Sequence, residues 1–249
     1  MKILLTNDDG LEADGLQTLK RILSKYHEVI IVAPDGQRSA SGHGITLKHP
    51  LILKEVRKNE YSCSGLPADC ALMGLFEVLK DSPPDLVISG INHGANLGID
   101  TYYSGTVAGA REACIRGFPA ISISSCCDFY GDEREYHFET AATILLQLLE
   151  KGILQYFIPN EFVNLNVPNL PIDQIKQVEF ASFGMRQFTS SFVKVGEDSY
   201  TYSSMAASYL KRDGSDCLSI VSKNISFTPL NIFEGVADRE AWRDFLRSL

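Results

Sequence analysis

The chain has 249 residues, of which 45% are hydrophobic and 22% are charged, values that exclude disordered and collagen-like classes. Acidic residues outnumber basic ones by 31 to 23, giving a net charge of −8, and such a chain lacks the basic stripe needed to bind duplex nucleic acid. It contains no uncharged apolar run of membrane-spanning length, so we expect no membrane partner.

The first half of the chain alternates strand and helix patterns. Buried strands are predicted at residues 3–6, 29–33, 86–89 and 120–124, and helices at residues 16–23, 68–80, 106–116 and 135–151. The predicted strands are short apolar runs, whereas apolar residues recur every three or four positions in the predicted helices. This alternation predicts a mostly parallel sheet with helices on both faces.

The pattern changes after about residue 175. Residues 178–228 are rich in Ser, Phe, Tyr, Thr and Val, which favours antiparallel strands or hairpins and no helix. The tail returns to a helical pattern over residues 236–249. With no clear boundary, we expect one α/β domain: a core of about residues 1–175, a projecting hairpin and oligomerisation segment of about 178–230, and the C-terminal helix.

The N-terminus and the cysteines predict a cytoplasmic location. The opening apolar run meets Asp8 and Asp9 at once and is too short for the core of a signal peptide. The six cysteines include no C-x-x-C pair and no metal-ligand spacing. Reduced thiols in the cytoplasm are therefore expected.

Three loops of the predicted sheet carry the residues that indicate chemistry. They follow the first three predicted strands and span residues 7–10, 34–44 and 90–98. In a sheet of this type, ligands bind outside the carboxyl ends of the strands. The second and third loops are rich in glycine, so their backbone N–H groups can approach a ligand closely.

Asp8 and Asp9 are adjacent carboxylates at the end of the first strand. They repel each other and lose hydration there, and a bound cation would offset both costs. The alternative is a turn in which Asp9 caps the next helix. Ser39 and Asn92 add neutral oxygens, and an all-oxygen set favours Mg²⁺, Mn²⁺ or Ca²⁺ over zinc or copper.

Ser104, Gly105 and Thr106 begin a predicted helix, where hydroxyls and unpaired N–H groups can bind an anion. An ordinary N-cap is the alternative. Asn96 belongs to the preceding glycine-rich stretch. A phosphate at this helix start and a cation at Asp8 and Asp9 would form one metal–phosphate site.

His43 and His93 lie in the same loops and could protonate a leaving group, although surface histidines with no catalytic role are the simpler interpretation. Ser39 and Ser41 have no evident base partner in the sequence. A serine hydrolase is therefore weakly supported.

Four strings resemble the SurE family, the survival protein E nucleotidases of bacteria and archaea. They are NDDG at 7–10, APDGQRSASGHGIT at 33–46, SGINHGANLG at 89–98 and YSGTV at 103–107. Residues 213–216 and 225–230 resemble a later strand motif of the family, whereas Leu66 departs from the family pattern, outside the proposed metal ligands.

The resemblance implies a Rossmann-like three-layer α/β/α core with a projecting hairpin and a C-terminal helix used in a homodimer or homotetramer. It implies a metal-dependent phosphatase of nucleoside 5'- and 3'-monophosphates that sometimes acts on short polyphosphate, with one divalent cation per subunit, Mg²⁺ or Mn²⁺ before Ca²⁺. By position, the implied metal ligands are Asp8, Asp9, Ser39 and Asn92, and the implied phosphate-binding residues are Asn96, Ser104, Gly105 and Thr106.

Direct hydrolysis is the expected mechanism, with Asp8 or Asp9 orienting or deprotonating a metal-activated water. Covalent attack by an aspartate, as in haloacid dehalogenases, ranks lower because Gly10 occupies the place of that family's second Asp. A receiver domain would need a phosphate-accepting Asp near residue 54, and the sequence has none there. A metal-dependent deacetylase would need metal-binding histidines near Asp8 and Asp9 in the sequence, and these are also missing. A non-catalytic nucleotide sensor stays open as the alternative.

Overall fold

The computed structural model describes residues 1–127 and 135–233. The strands of the described part are β1 (Lys2–Thr6), β2 (Glu28–Pro34), β3 (Leu53–Arg57), β4 (Glu60–Cys63), β5 (Leu86–His93), β6 (Ala120–Cys126), β7 (Glu161–Pro168), β8 (Val178–Phe180), β9 (Arg186–Lys194), β10 (Tyr200–Tyr209) and β11 (Ile225–Asn231). The helices are α1 (Asp14–Leu23), α2 (Pro67–Met73), α3 (Gly105–Ile115), α4 (Phe138–Glu150) and α5 (Asp216–Val221).

The central sheet has the strand order β3-β4-β2-β1-β5-β6-β7-β11-β8. Its middle strands, from β4 to β7, all pair in parallel, whereas β3 and β11 run antiparallel to their neighbours β4 and β7. The chain passes from β1 to β2 on one side and later to β5 on the other side. The strand order therefore reverses between β1 and β5, the kind of position where open α/β sheets bind ligands.

Alternation along β1 divides the core into two layers. Ile3 and Leu5 face a cluster that includes the apolar residues of α1 and α4. Leu4 faces the opposite cluster, to which α2 and α3 contribute. Because all three side chains are fully buried, each stabilises the fold by about 1.5–3 kcal/mol. The three-layer fold thus follows directly from the period of two in a strand.

The strands β9 and β10 form an antiparallel hairpin of their own, separate from the central sheet. This hairpin is shorter than the predicted hairpin segment, because β8 and β11 join the central sheet and pair in parallel with each other. The expectation that residues 178–228 contain no helix is wrong. Ser215 caps α5 there, accepting a hydrogen bond from the backbone N–H of Leu218 at 3.3 Å.

The α/β fold with a mostly parallel sheet is confirmed. The predicted helix over residues 68–80 is divided, since α2 ends at Met73 and a π-helical turn continues over Gly74–Val78. The predicted C-terminal helix at 236–249 lies outside the described residues. The division of residues 1–249 within a single domain stays a prediction. Among the described helices, none combines the length and apolar character that a membrane crossing would need.

Candidate active site

The candidate site lies where β1 and β5 end, at the reversal of strand order. Asp8 and Asp9 follow β1, and Asn92 lies at the end of β5. The pairing of β5 with β6 shifts between Ser89 and Asn92. Such a bulge changes the direction of the strand and re-aims its side chains. Two segments far apart in sequence thus bring their polar groups to one edge of the sheet.

The turn after β1 is fixed by hydrogen bonds that position both carboxylates. The Asn7 side chain donates to the Gly10 carbonyl at 2.9 Å and accepts from the Gly10 N–H at 3.2 Å. Gly10 has a φ of 104°, and a Cβ there would lie 3.3 Å from the carbonyl carbon of Gly36, so the turn favours glycine. The backbone of Asp8 accepts a hydrogen bond from the N–H of Arg38 at 2.7 Å.

Asp8 is a buried carboxylate at the start of α3. Its side chain is only 5% exposed, and Oδ1 accepts a short hydrogen bond from the hydroxyl of Thr106. The Thr106 backbone N–H contributes a further hydrogen bond. Burial raises the pKa of Asp8 to about 6, although the Thr106 hydroxyl opposes the rise and the charge of Asp9 adds to it. The site therefore holds a carboxylate in surroundings that disfavour its charge.

Asp9 lies beside His93, which follows Asn92 in β5. Oδ2 of Asp9 is 3.8 Å from Nδ1 of His93 and accepts a long hydrogen bond of 3.4 Å from the His93 backbone N–H. Burial raises the pKa of Asp9, and both His93 contacts oppose that rise. The imidazole also packs on the rings of Tyr136 and Phe138, with centroids 5.2 and 4.9 Å away. His93 is thereby held against Asp9.

The start of α3 adds hydroxyl groups to the site. Ser104 Oγ accepts from the backbone N–H of Val107 at 3.1 Å, which leaves its own hydrogen available for a ligand. Gly105 follows and lies directly against Asp8. Ser41 Oγ lies beside Gly105 and, although buried, has no hydrogen-bond partner among the residues that the structure describes. A helix start with available donors favours an anion.

Asn96 is held in place by polar side chains from two neighbouring strands. Its Nδ2 donates to Ser124 Oγ at 2.8 Å, and its backbone N–H donates to Asn166 Oδ1 at 2.9 Å. The carbonyl of Asn96 accepts from the side chains of Asn164 and Asn166 at 2.8 and 3.1 Å. This buried network fixes the loop after β5 relative to the sheet.

The loop after β2 is tied to α3, the helix that begins at the site. His43 Nε2 lies 2.8 Å from Oε2 of the buried Glu112, whose other oxygen accepts from Arg116. Both contacts lower the pKa of Glu112, that with His43 more strongly, against the opposing effect of burial. Ser39 is exposed and accepts a 3.0 Å hydrogen bond from the Gln37 amide. The loop is thus anchored while Ser39 stays accessible.

These groups surround one cleft of about 670 Å³. Six of the eight predicted site residues line it, namely Asp8, Asp9, Ser39, Asn92, Asn96 and Ser104. The other two, Gly105 and Thr106, lie against Asp8. His93 also lines the cleft, whereas His43 is directed to Glu112 instead.

The cleft also contains residues that were not predicted as site residues. They are Gln37, Ala40, Ile99, Asp100, Tyr103, Phe188 and Tyr202. The richness in Tyr and Phe between residues 180 and 209 was a visible signal, but on its own it was only compatible with a contact to another subunit. Nothing in the sequence places β9 and β10 beside the end of β1, because that arrangement depends on contacts between distant residues.

The residues around Asp8 and Asp9 fit a hard cation. Their carboxylates lie side by side and largely buried, and a positive charge there would offset both the burial and the mutual repulsion. Oxygens of Ser39 and Asn92 reach the same cleft, and oxygen ligands suit Mg²⁺, Mn²⁺ and Ca²⁺. The described residues include no group of three or more His, Cys, Asp and Glu side chains arranged for a metal.

Comparisons with known proteins agree with one another. The family model described as survival protein SurE matches residues 3–190. The chain is 39% identical to the 5'-nucleotidase SurE of Vibrio parahaemolyticus over 93% of this chain and 89% of the relative. It is 42% identical to the 5'-nucleotidase SurE of Thermosipho melanesiensis over 94% of this chain and 92% of the relative.

A solved structure extends the agreement to the fold. The SurE protein from Aquifex aeolicus superimposes with a TM-score of 0.86 at 32% identity, covering 99% of this chain and 100% of that one. The family match includes the loop that contains Asp8 and Asp9, the glycine-rich loops at residues 34–44 and 90–98, and the start of α3. The chain therefore belongs to the SurE family.

Proposed function

We propose that this chain is a metal-dependent phosphatase that hydrolyses nucleoside 5'-monophosphates, and also 3'-monophosphates or short polyphosphate, to release phosphate. The proposal rests on one observation: Asp8 and Asp9 are adjacent, largely buried carboxylates at the reversal of strand order, and Asp8 lies against the N-terminus of α3. The names of the curated relatives, each a 5'-nucleotidase SurE, support the same activity.

One divalent cation per subunit, held by Asp8, Asp9, Ser39 and Asn92, is part of the proposal. Mg²⁺ and Mn²⁺ are the favoured ions, and Ca²⁺ is the third candidate, because the ligands are oxygens. When bound, such an ion neutralises phosphate charge and makes water more acidic. The hydrogen bond from the Thr106 hydroxyl to Asp8 Oδ1 supports this assignment, since it holds the carboxylate beside the start of α3.

Different side chains of the site have different proposed roles in hydrolysis. Asp8 or Asp9 orients or deprotonates the attacking water. Thr106, whose hydroxyl donates to Asp8, keeps that carboxylate in one orientation. Ser104, the N-terminus of α3 and Asn96 bind the phosphoryl group and stabilise the charge that develops on it.

The partners and location belong to the same proposal. The substrate is a nucleoside monophosphate, the assembly is a homodimer or homotetramer, and the enzyme acts in the cytoplasm. Light scattering of the purified chain would measure the mass of the assembly and distinguish the two oligomers from a monomer.

Substitution of the carboxylates tests the proposed roles. We expect Asp8→Asn and Asp9→Asn each to lower kcat for phosphate release by roughly 100-fold or more. Asp35→Asn is the matched control, because Asp35 is also a loop carboxylate but is 47% exposed and paired with Arg38. Full activity of either site variant would contradict the assignment. A phosphorylated aspartate trapped in the wild type would instead support the covalent mechanism.

A further inference from the structure

The hairpin places aromatic rings beside the proposed metal and phosphate groups. Phe188 of β9 and Tyr202 of β10 line the same cleft as Asp8 and Ser104, and so does Tyr103. These three residues, the aromatic wall, are 41%, 59% and 67% exposed in that order. Neither metal binding nor phosphate chemistry needs flat apolar surfaces, so the aromatic wall requires another explanation.

The rings of the hairpin share one face. Tyr202 lies directly opposite Phe192 in the hairpin. Phe188 is four residues from Phe192 along β9, and side chains alternate between the two faces of a strand, so all three rings project to the same side. The rings of Phe192 and Tyr202 lie 5.4 Å apart between centroids. Among the described side chains of the same stretch, the opposite face carries Thr189, Ser191, Val193, Thr201 and Ser203, none of which is aromatic. The aromatic face is therefore the one that meets the cleft.

An ion pair fixes the hairpin in this position. Arg186 Nη1 donates to Asp100 Oδ2 at 2.9 Å, and the two side chains are only 10% and 13% exposed. The Arg186 guanidinium also lies over the Phe188 ring, 5.2 Å from its centroid. Asp100 precedes Ser104 by four residues, so the anchor joins the hairpin to the segment that leads into α3. Rings held in advance lose little freedom when a ligand binds.

We propose that the aromatic wall binds the nucleobase of the substrate, which makes Phe188, Tyr202 and Tyr103 specificity-determining residues. The inference rests on the proposed function, because it assigns the base end of the same site. Nucleobases stack on aromatic side chains with little regard to their hydrogen-bonding pattern. The volume of the cleft, about 670 Å³, is within the range of about 300–1,000 Å³ usual for small-molecule sites.

The aromatic wall predicts how substrates are ranked. Nucleoside monophosphates are preferred over phosphates without a base, such as ribose 5-phosphate or short polyphosphate. Tolerance between different bases is expected, because stacking gives little discrimination among them. The hairpin thus selects the substrate class, and the edge of the sheet performs the chemistry.

Calorimetric titration of the full-length protein with two probes that it does not consume tests the inference. Adenosine tests binding of a base to the aromatic wall, and inorganic phosphate with Mg²⁺ tests binding to the proposed metal and phosphate groups. We expect Phe188→Ala and Tyr202→Ala each to weaken adenosine binding by about five- to fiftyfold, with the affinity for phosphate far less affected. Val193→Ala, on the opposite hairpin face and 49% exposed, should bind both probes as the wild type does, and Phe188→Tyr should retain adenosine binding.

Several results would overturn the inference. They are a wild type that does not bind adenosine, adenosine affinity unchanged in both alanine variants, and equal losses for adenosine and phosphate. A change of molecular mass in the same two variants would identify the rings as a subunit contact instead. If adenosine binding depends on the rings but no monophosphate is hydrolysed, the base site stands and the proposed enzymatic function is wrong.

Discussion

Gly105 and Asp8 approach each other more closely than any other residue type at position 105 would allow. A Cβ on Gly105 would lie 2.8 Å from Cβ of Asp8 and 3.0 Å from its Oδ2. It would also lie 2.7 Å from Oγ of Ser41. The contact joins the end of β1 to the start of α3, and it places the N-terminus of a helix on a buried carboxylate. The proposed metal site, at Asp8, and the proposed phosphate site, at the start of α3, are therefore in direct contact.

Gly105→Ala is expected to displace Asp8 or the first turn of α3. Because a shift of about 1 Å in an active site can cost roughly 100-fold in rate, we predict a loss of that order in kcat for phosphate release. Gly36→Ala is the control, since a Cβ there would find only Arg38 Nη1, at 3.8 Å. Steady-state kinetics of the two variants measure the difference. Equal activities would show that the approach of Gly105 to Asp8 is not needed.

Asp8→Asn is expected to stabilise the metal-free protein while abolishing its response to metal. Removing one of two adjacent buried charges relieves a cost of burial, so the Tm without metal should rise by a few degrees. Saturating Mg²⁺ or Mn²⁺ should raise the Tm of the wild type, because a ligand that binds the folded state stabilises it. Thermal denaturation with and without metal tests both effects. An equal metal-induced rise in the two proteins would contradict the role of Asp8.

Glu60 predicts a loss of stability in acid. This carboxylate is 3% exposed at the start of β4, and it accepts hydrogen bonds from Arg57 and Lys20. Although burial opposes them, these contacts lower the pKa of Glu60 to about 2 from 4.5. A carboxyl group with a lowered folded pKa stabilises the protein above its unfolded pKa. That contribution, about 2–3 kcal/mol, should be lost as the pH falls from about 4.5 to 2.

Glu60→Gln should therefore lower the free energy of unfolding at pH 7, and its penalty should shrink as the pH approaches 2. Urea denaturation at several pH values measures this dependence. Glu12→Gln serves as the control, because Glu12 contacts the same Arg57 at 2.8 Å but is 69% exposed, and exposed ion pairs contribute little. If the penalty of Glu60→Gln did not change with pH, the lowered pKa would be wrong.

Asp216 links the base of the hairpin to the loop after β5. It is fully buried and accepts hydrogen bonds of 2.7 Å from the backbone N–H groups of Gly98, Gly184 and Cys217. Asp216→Asn would direct an amide N–H₂ at one of these donors, and an unsatisfied buried donor costs about 1–3 kcal/mol. Urea denaturation of this variant should show a loss of that size, whereas the exposed Asp213→Asn should not. Equal stabilities would exclude this linking role.

Much of the core was predictable because its patterns are local. Ile3 and Leu5 alternate with Leu4, and Leu16 and Leu19 recur at helical spacing, so β1 and α1 were visible in the sequence. The site residues could be grouped because parallel strands bring their carboxyl ends to one edge. The mutual placement of Asp8 and Asn92 followed from that geometry, although their roles stay proposals.

The parts that could not be predicted depend on distant partners. Asn164 and Asn166 interrupt the apolar pattern of β7, and they are buried there because they bond Asn96, about 70 residues away. The helix α5 has only six residues, too few to display a helical period. The aromatic wall depends on the pairing of Arg186 with Asp100, which no local pattern indicates.

Phosphate release from a panel of nucleoside 5'- and 3'-monophosphates, measured with Mg²⁺, with Mn²⁺ and with EDTA, tests the central claim most directly. We expect release that requires a divalent ion, is abolished by EDTA and is lost in Asp8→Asn and Asp9→Asn. Release that survives EDTA would contradict the proposed roles of the carboxylate pair. Tight nucleotide binding without release under any condition would contradict the enzymatic function and identify a non-catalytic sensor.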